Sequence, residues 1–171
     1  MKMTKSPCFH PSQVVSVSIS IQTADFDLAA ELAALRAGGA KAGALVSFVG
    51  LVRDFSGEDK IENLTLEHYP GMSEKALKKI IVEANARWNL LGVRVIHRVG
   101  TLLPNEQIVL VATASAHRSD AFASCEFIID CLKTAAPFWK REQTPQGAAW
   151  LDTKDSDVQR MQHWFPQGEA K

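Results

Sequence analysis

The chain has 171 residues, of which 46% are hydrophobic and 22% are charged, and its formal net charge is +0 with a pI of about 7.0. These values are ordinary for one soluble globular domain with its own core, and they exclude a largely disordered chain. A neutral pI also argues against a nucleic-acid-binding protein, because such domains usually carry a strongly basic face.

Nothing in the sequence predicts contact with a membrane. The longest apolar stretch, from Gly43 to Val52, is too short to span a bilayer as a helix. The N-terminal segment MKMTKSPCFHPSQ lacks the apolar core of a secretory signal. We therefore expect a cytoplasmic protein.

The three cysteines are Cys8, Cys125 and Cys131. They form no CxxC pair, and no cluster of His and Cys has the spacing of a zinc site. We therefore expect neither a metal nor a cofactor, and we interpret the thiols as buried or incidental in a reducing compartment.

The hydrophobic period switches between two and about 3.6 along the first half of the chain, which predicts mixed strands and helices. Residues 1–14 are polar and contain two prolines, which predicts a flexible tail. The pattern then predicts a strand over 15–21, a helix over 25–37, a buried strand over 43–50, a mobile loop over 51–60 and a strand over 61–68.

Two capped helices are predicted in the second half. Ser73 is predicted to cap a helix that ends near Trp88, and Ser119 to cap one that ends near Lys133. Strands are predicted between them, at 93–99 and 107–115. The stripe of the second helix that should face the core comprises Phe122, Cys125, Ile129 and Leu132.

Strands and helices mix without a regular βαβ repeat, so the predicted fold class is α+β. We expect residues 15–150 to form the functional domain. Residues 151–171 should form a C-terminal segment that includes a short amphipathic helix.

The candidate site lies between Ser115 and Glu142. His117 and Arg118 stand at the end of a predicted strand, directly before a helix. A helix N-terminus offers unpaired N–H groups and partial positive charge, so a phosphate can bind there beside an Arg and a His. The alternative is an ordinary exposed junction between a strand and a helix.

Lys133, Lys140 and Arg141 follow at the other end of this helix. Pro137 keeps the preceding residue extended, and the Phe-Trp pair before Lys140 is too apolar to lie free on a surface. This predicts an apolar-walled pocket in which clustered cations lower each other's pKa, which frees a lysine to act as a base or nucleophile. The alternative for Lys133 is routine compensation of the helix dipole.

Arg53 enters a loop, where an arginine is usually solvated. His68 and His97 lie within strand patterns, where a hydrogen-bonded structural role is more common, and neither is assigned a function.

Five segments, GALVSFVGLVR, LTLEHYPGM, VIHRVGTLLPNE, SAHRSDAF and LKTAAPFWKRE, occur in this order between Gly43 and Glu142. They resemble the signature blocks of the molybdopterin synthase catalytic (large) subunit family. The resemblance implies an α/β hammerhead-type fold with an additional small antiparallel β subdomain. It also implies a homodimer that binds a small ubiquitin-like sulfur-carrier subunit at each end, giving a heterotetramer.

The resemblance further implies the reaction. The thiocarboxylated Gly-Gly C-terminus of the carrier would enter a pocket of this chain and give its sulfur to cyclic pyranopterin monophosphate, forming the dithiolene of molybdopterin. Lys133 and Lys140 would be catalytic. The substrate-binding residues, carried over position by position, would be Leu51, Val52, Arg53, His117, Arg118, Lys133, Lys140, Arg141 and Glu142.

Two alternatives compete with this interpretation. One is a phosphate-ester enzyme of another class, which needs no protein sulfur donor. The other is a non-enzymatic adaptor for a ubiquitin-like protein, in which Lys133 and Lys140 could be neutralised without loss of function. A nucleic-acid binder is disfavoured by the neutral pI and the lack of interleaved aromatic and basic residues.

Overall fold

The computed structural model describes residues 16–38, 41–56, 59–152 and 154–165. The predicted N-terminal tail, 1–14, lies outside these ranges. The elements in chain order are β1 (Ser16–Gln22), α1 (Leu28–Ala37), β2 (Ala44–Leu51), β3 (Phe55–Ser56), β4 (Asp59–Lys60), β5 (Asn63–His68), α2 (Met72–Arg87), β6 (Leu90–Arg98), β7 (Gly100–Leu102), β8 (Gln107–Ser115), α3 (Arg118–Ala135), β9 (Phe138–Thr144), β10 (Gly147–Leu151) and α4 (Asp155–Trp164).

The strands form two four-stranded sheets and a short hairpin. The first sheet has the order β1-β6-β8-β2, with β1 parallel to β6 and the other pairs antiparallel. The second, β10-β9-β5-β7, is antiparallel throughout. The α+β prediction is therefore confirmed. The segment predicted as a mobile loop, 51–60, contains the hairpin of β3 and β4.

Helices cover both faces of the first sheet. In the largest core cluster, α2 and α3 pack on one face of the sheet, which includes Val95 of β6 and Val111 of β8. The opposite face, with Ile96 and Leu110, packs against α1. None of the helices in the described ranges is long and apolar enough to cross a membrane.

Several local predictions were wrong. The strand predicted as buried, β2, is the edge strand of its sheet, and Leu45 within it is exposed. Phe122, predicted to face the core, is 63% exposed, because α3 turns it toward the open side of β2. Ser73 is buried inside α2 and donates to the carbonyl oxygens of Tyr69 and Pro137, so it does not cap the helix.

The C-terminal residues complete the second sheet and cover α3. The predicted boundary at residue 150 falls within β10, and the predicted short helix is α4, which packs against α3. Asp130 of α3 is buried and accepts hydrogen bonds from Trp164 Nε1 at 2.9 Å and Arg160 Nε at 3.0 Å. The Trp164 ring also packs edge-on against Phe127 of α3. A charge-assisted contact and an aromatic contact therefore hold α4 on α3.

Candidate active site

Helix α3 carries candidate residues at both of its ends. His117 occupies the N-cap position without a side-chain cap bond, and Arg118 begins the helix. Ser119, predicted as the cap, instead lies in the first turn, with its Oγ 3.4 Å from Asp120 Oδ1. Lys133 lies in the last turn. At a rise of about 1.5 Å per residue, His117 and Lys133 are about 24 Å apart. One chain therefore does not bring these residues together.

A small open pocket lies at the N-terminus of α3. It is lined by Gly43, Ala116, His117, Arg118 and Ser119. Gly43 is required there, because a Cβ at this position would lie 2.4 Å from the carbonyl oxygen of Ala116. The helix N-terminus and the exposed His117 and Arg118 side chains make this pocket suited to an anion.

The second group of candidates lies on β9, where successive side chains point to opposite faces. Lys140 lies on the same face as Phe138 and the buried Glu142. Arg141 lies on the other face, where its guanidinium is 5.6 Å from the centre of the Trp150 ring. The strand thus separates Arg141 from Lys140, although the two residues are neighbours in sequence.

Lys140 is surrounded by other cations. Burial lowers its pKa, and the charges of Lys133, Lys154 and Arg53 lower it further, while Asp157 opposes them. This is the environment that favours the neutral amine, the form that can accept a proton. The cluster of Arg53, Lys133, Lys140, Lys154 and Asp157 is called the lysine cluster below.

Lys133 borders both the lysine cluster and a groove. Its Nζ is 3.8 Å from Asp157 Oδ1, a contact contributed by α4. The groove, between β2 and α3, has a volume of about 550 Å³, and Val46, Phe48, Phe122 and Lys133 are among its lining residues. Lys133 is therefore reachable from solvent along an apolar wall.

The turn after β2 places Arg53. Val52 is buried, its N–H donates to the carbonyl oxygen of Glu106, and its own carbonyl oxygen accepts from Asn105 N–H. Leu51 and Arg53 on either side are exposed. Two backbone hydrogen bonds thus anchor the turn, and the charge of Arg53 is close enough to lower the pKa of Lys140.

Four residues of this region were not assigned a role from the sequence. Lys154 and Asp157 come from the C-terminal segment, and the acidic first turn of α4 is the sequence signal that points to them. The rings of His68 and His97 both stack against Phe138, which lies on the same face of β9 as Lys140. In the described ranges no group of three His, Cys, Asp or Glu side chains could hold a metal ion.

The fold and these two basic sites define an α+β protein with a pocket suited to an anion at one end of a central helix and a half-buried lysine near the other. The model of the MoaE protein family matches residues 21–135, and the chain belongs to that family. It is 56% identical over 147 residues to the molybdopterin synthase catalytic subunit of Ralstonia nicotianae, covering 86% of this chain and 84% of that protein. It is 55% identical over 146 residues to the Vibrio cholerae subunit of the same name, covering 85% and 97%.

Solved structures of similar fold come from proteins with related names. The molybdopterin biosynthesis MoaE protein from Burkholderia ambifaria superposes with a TM-score of 0.76 at 54% identity, covering 90% of this chain and all of that one. Molybdopterin synthase from Staphylococcus aureus superposes with a TM-score of 0.73 at 30% identity, covering 84% and 99%. A complex of subunits 1 and 2 of molybdopterin-converting factor from Helicobacter pylori, at 21% identity and a TM-score of 0.66, shares the fold.

Proposed function

We propose that this chain is the catalytic subunit of a molybdopterin synthase, which moves sulfur from a thiocarboxylated carrier to cyclic pyranopterin monophosphate. The observation that carries the proposal is Lys140, a half-buried lysine whose pKa is lowered by burial and by three neighbouring cations. The names of the relatives support the reaction, and the complex of two subunits in a structural neighbour supports a small protein partner.

The lysine cluster suits the chemistry of this reaction. A cyclic phosphate opens as sulfur enters, so negative charge develops and needs fixed cations nearby. Arg53 and Lys133 can provide that charge, and Lys140 can hold or release a proton more readily than an ordinary lysine because its pKa is lowered. Each sulfur transfer leaves a carboxylate on the carrier tail, which the same cations would stabilise.

The groove between β2 and α3 gives a route for the carrier tail. Val46, Phe48 and Lys133 are among the residues that line it. A Gly-Gly terminus has no side chain to clash with such walls. Leu51, Val52 and Glu142 would shape the substrate site. Arg141 lies on the other face of β9 and would support the site indirectly, by holding the strand in place.

A second copy of the chain would complete the site. His117 and Arg118 lie about 24 Å from Lys133 along α3, too far for one small substrate to touch both ends. A two-fold axis beside the exposed edge of β2 would set a second α3 antiparallel to the first and bring its N-terminus to the lysine cluster. The exposed Phe122 at this edge would then be covered. The homodimer is therefore part of the proposal.

The test is reconstitution of purified protein with thiocarboxylated carrier and cyclic pyranopterin monophosphate, followed by measurement of the dithiolene product. Product that requires the thiocarboxylate supports the proposal. Conversion of the pterin phosphate without any carrier would instead indicate a phosphate-ester enzyme. Carrier binding without product, unaffected by loss of Lys133 and Lys140, would indicate an adaptor.

A further inference from the structure

The ring of Phe138, two residues before Lys140 on β9, stacks against two histidines. The ring of Phe138 is 3.8 Å from the ring of His97, centre to centre and nearly parallel, and 6.2 Å from the ring of His68. The same phenyl group thus packs against two imidazoles that differ in their hydrogen bonding.

His97 has a hydrogen-bond partner for its Nδ1. Its Nδ1 lies 2.8 Å from the carbonyl oxygen of Arg98, which can only accept, so Nδ1 carries the hydrogen. Burial lowers the pKa of His97 to about 4, and the nearby charges of Lys140 and His68 act in the same direction. His97 is therefore a neutral structural ring that supports Phe138.

His68 is different. Its Nδ1 is buried, yet within the described parts of the chain it has no hydrogen-bond partner. A buried polar atom left unpaired costs folding free energy. A phenylalanine would fill the same space without that cost, so packing alone does not account for an imidazole at this position.

The strand register places His68 next to Lys140. In the pairing of β5 with β9, Leu66 is opposite Lys140 and His68 is opposite Phe138. His68 and Lys140 are therefore diagonal neighbours on one face of the sheet, with a separation of about 7–8 Å that long side chains can span. The unpaired nitrogen therefore belongs to a side chain on the same face of the sheet as the lysine.

The lysine cluster is rich in donors and poor in acceptors. Arg53, Lys133, Lys140 and Lys154 can only donate when charged, and the carboxylate of Asp157 is 3.8 Å from Lys133. Such a site binds the phosphate of a substrate well but provides little for its N–H groups. A nitrogen heterocycle that carries a phosphate needs both.

We propose that Nδ1 of His68 accepts a hydrogen bond from a ring or amino N–H of the substrate, and so recognises the heterocycle while the cations hold the phosphate. The inference rests on the proposed function for the identity of the substrate, a phosphorylated pterin. It makes His68 a further substrate-binding residue.

The experiment compares His68→Phe, which keeps a flat ring, with His68→Asn, whose amide oxygen lies close to the position of Nδ1. Tyr69→Phe is the matched control, since this neighbouring side chain is exposed and also loses one polar group. Two quantities are measured: the Kd of cyclic pyranopterin monophosphate without carrier, and kcat/KM with thiocarboxylated carrier.

We expect His68→Phe to raise Kd and lower kcat/KM by about tenfold, the range for loss of one buried hydrogen bond. Its Tm should stay the same or rise, because an unpaired buried atom is removed. His68→Asn should recover most of the binding, and Tyr69→Phe should match the wild type.

Unchanged binding in His68→Phe would overturn the inference, and so would equal losses in the Phe and Asn variants, because the ring rather than the nitrogen would then matter. Absence of pterin binding by the wild type would overturn it as well. Wild-type binding that His68→Phe weakens, without any turnover in the wild type, would reject the proposed function and leave the role of His68 standing.

Discussion

Lys133 combines an accessible position with a weak structural role. Its only described ion pair, with Asp157, is 3.8 Å long, and 40% of its side chain is exposed. Exposed pairs of this kind contribute under about 1 kcal/mol to stability. The residue can therefore be removed without loss of the fold.

We predict that Lys133→Ala lowers turnover by about 100-fold or more, the range for loss of a general acid-base group. Steady-state product formation with thiocarboxylated carrier measures this, and Tm measured in parallel should change little. Lys78→Ala, at an exposed position of α2, is the control. Near-normal turnover of Lys133→Ala would remove this lysine from the catalytic role.

Lys140 makes the folded protein less stable than a neutral side chain would. Its pKa is lowered from the ordinary value of 10.5, so the unfolded chain binds a proton more tightly at this position. Below the lowered pKa the full penalty for the buried charge is present. As the pH rises from that pKa toward 10.5, the penalty disappears and the stability of the wild type rises.

We predict that Lys140→Met is more stable than the wild type at neutral pH and has about 100-fold less turnover. The difference in unfolding free energy between the two proteins should shrink as the pH approaches 10.5. Denaturant unfolding at several pH values checks this. A variant less stable than the wild type at neutral pH would contradict the environment assigned to Lys140.

The two cysteines in the described ranges, Cys125 and Cys131, are poorly suited to a sulfur relay. Burial raises the pKa of the Cys125 thiol to about 12 and that of Cys131 to about 11, so neither forms a thiolate near neutral pH. Cys131 is six residues from Cys125 and therefore lies on another face of α3. It is buried as well, because α2 and α4 cover the side of the helix that the sheet leaves free. Cys8 lies outside the described residues.

We predict that a variant with Cys8→Ser, Cys125→Ala and Cys131→Ala keeps most of its activity with thiocarboxylated carrier. Its unfolding free energy should fall by about 1 kcal/mol for each buried site, because packing is lost. Turnover and unfolding are measured on the same preparation. Abolished turnover in a stable variant that still binds carrier would show that a cysteine carries the sulfur.

Among the elements, helices with a regular apolar stripe were predicted well. In α2, which was predicted from Ser73 to near Trp88, Leu77, Ile80, Ile81 and Ala84 recur at helical spacing and are all buried. In α3, Cys125 and Ile129 are buried as predicted, but Phe122 is exposed. Periodicity shows which side of a helix is apolar, but it does not show where the sheet beneath the helix ends. The strands β9 and β10 were not predicted. β9 alternates Lys140 and Glu142 on its inner face, where a half-buried strand normally has apolar residues.

Helix α4 depends on one buried carboxylate. Asp130 accepts from Trp164 Nε1 and Arg160 Nε, whereas Glu126 pairs with Arg160 at the surface, where both side chains are 55% exposed. In Asp130→Asn the amide cannot accept both bonds, since its NH₂ group would face a donor. Asp130 and Glu126 both contact Arg160, so substitutions of the two acids allow a buried and an exposed carboxylate to be compared.

We predict that Asp130→Asn lowers the unfolding free energy by about 2 kcal/mol, the range for hydrogen bonds to a buried charge. Glu126→Gln should lower it by less than about 0.5 kcal/mol. Limited proteolysis should cut the Asn variant near α4 first. Equal losses in the two variants would contradict the role given to the buried acid.

At the scale of the whole molecule, the distance between the two ends of α3 raises the question of whether one active site takes its residues from one chain or from two. If a second copy provides His117 and Arg118, then a Lys133→Ala chain and an Arg118→Ala chain can complement each other. Each mixed dimer would contain one site with both defects and one intact site.

We predict that the two variants, each nearly inactive alone, recover activity after mixing and subunit exchange, up to about one quarter of the wild-type value for random pairing. Product formation before and after exchange measures this. A chain carrying both substitutions, mixed with either single variant, is the control and should recover none. If activity does not recover although subunit exchange is demonstrated, the two ends of the helix do not contribute to a shared site.

The sequence by itself determined the alternation of helices and strands, the α+β class and the residue types of a basic site, because local periodicity and turn residues depend on near neighbours in the chain. It also indicated a pocket at Lys133 and Lys140 from Pro137 and the apolar residues beside it. Only the tertiary structure decided that Arg141 faces away from Lys140, that α4 brings Asp157 to Lys133, and that His68 lies beside Lys140. These contacts depend on strand pairing and packing between segments far apart in the chain, and no local pattern carries that information.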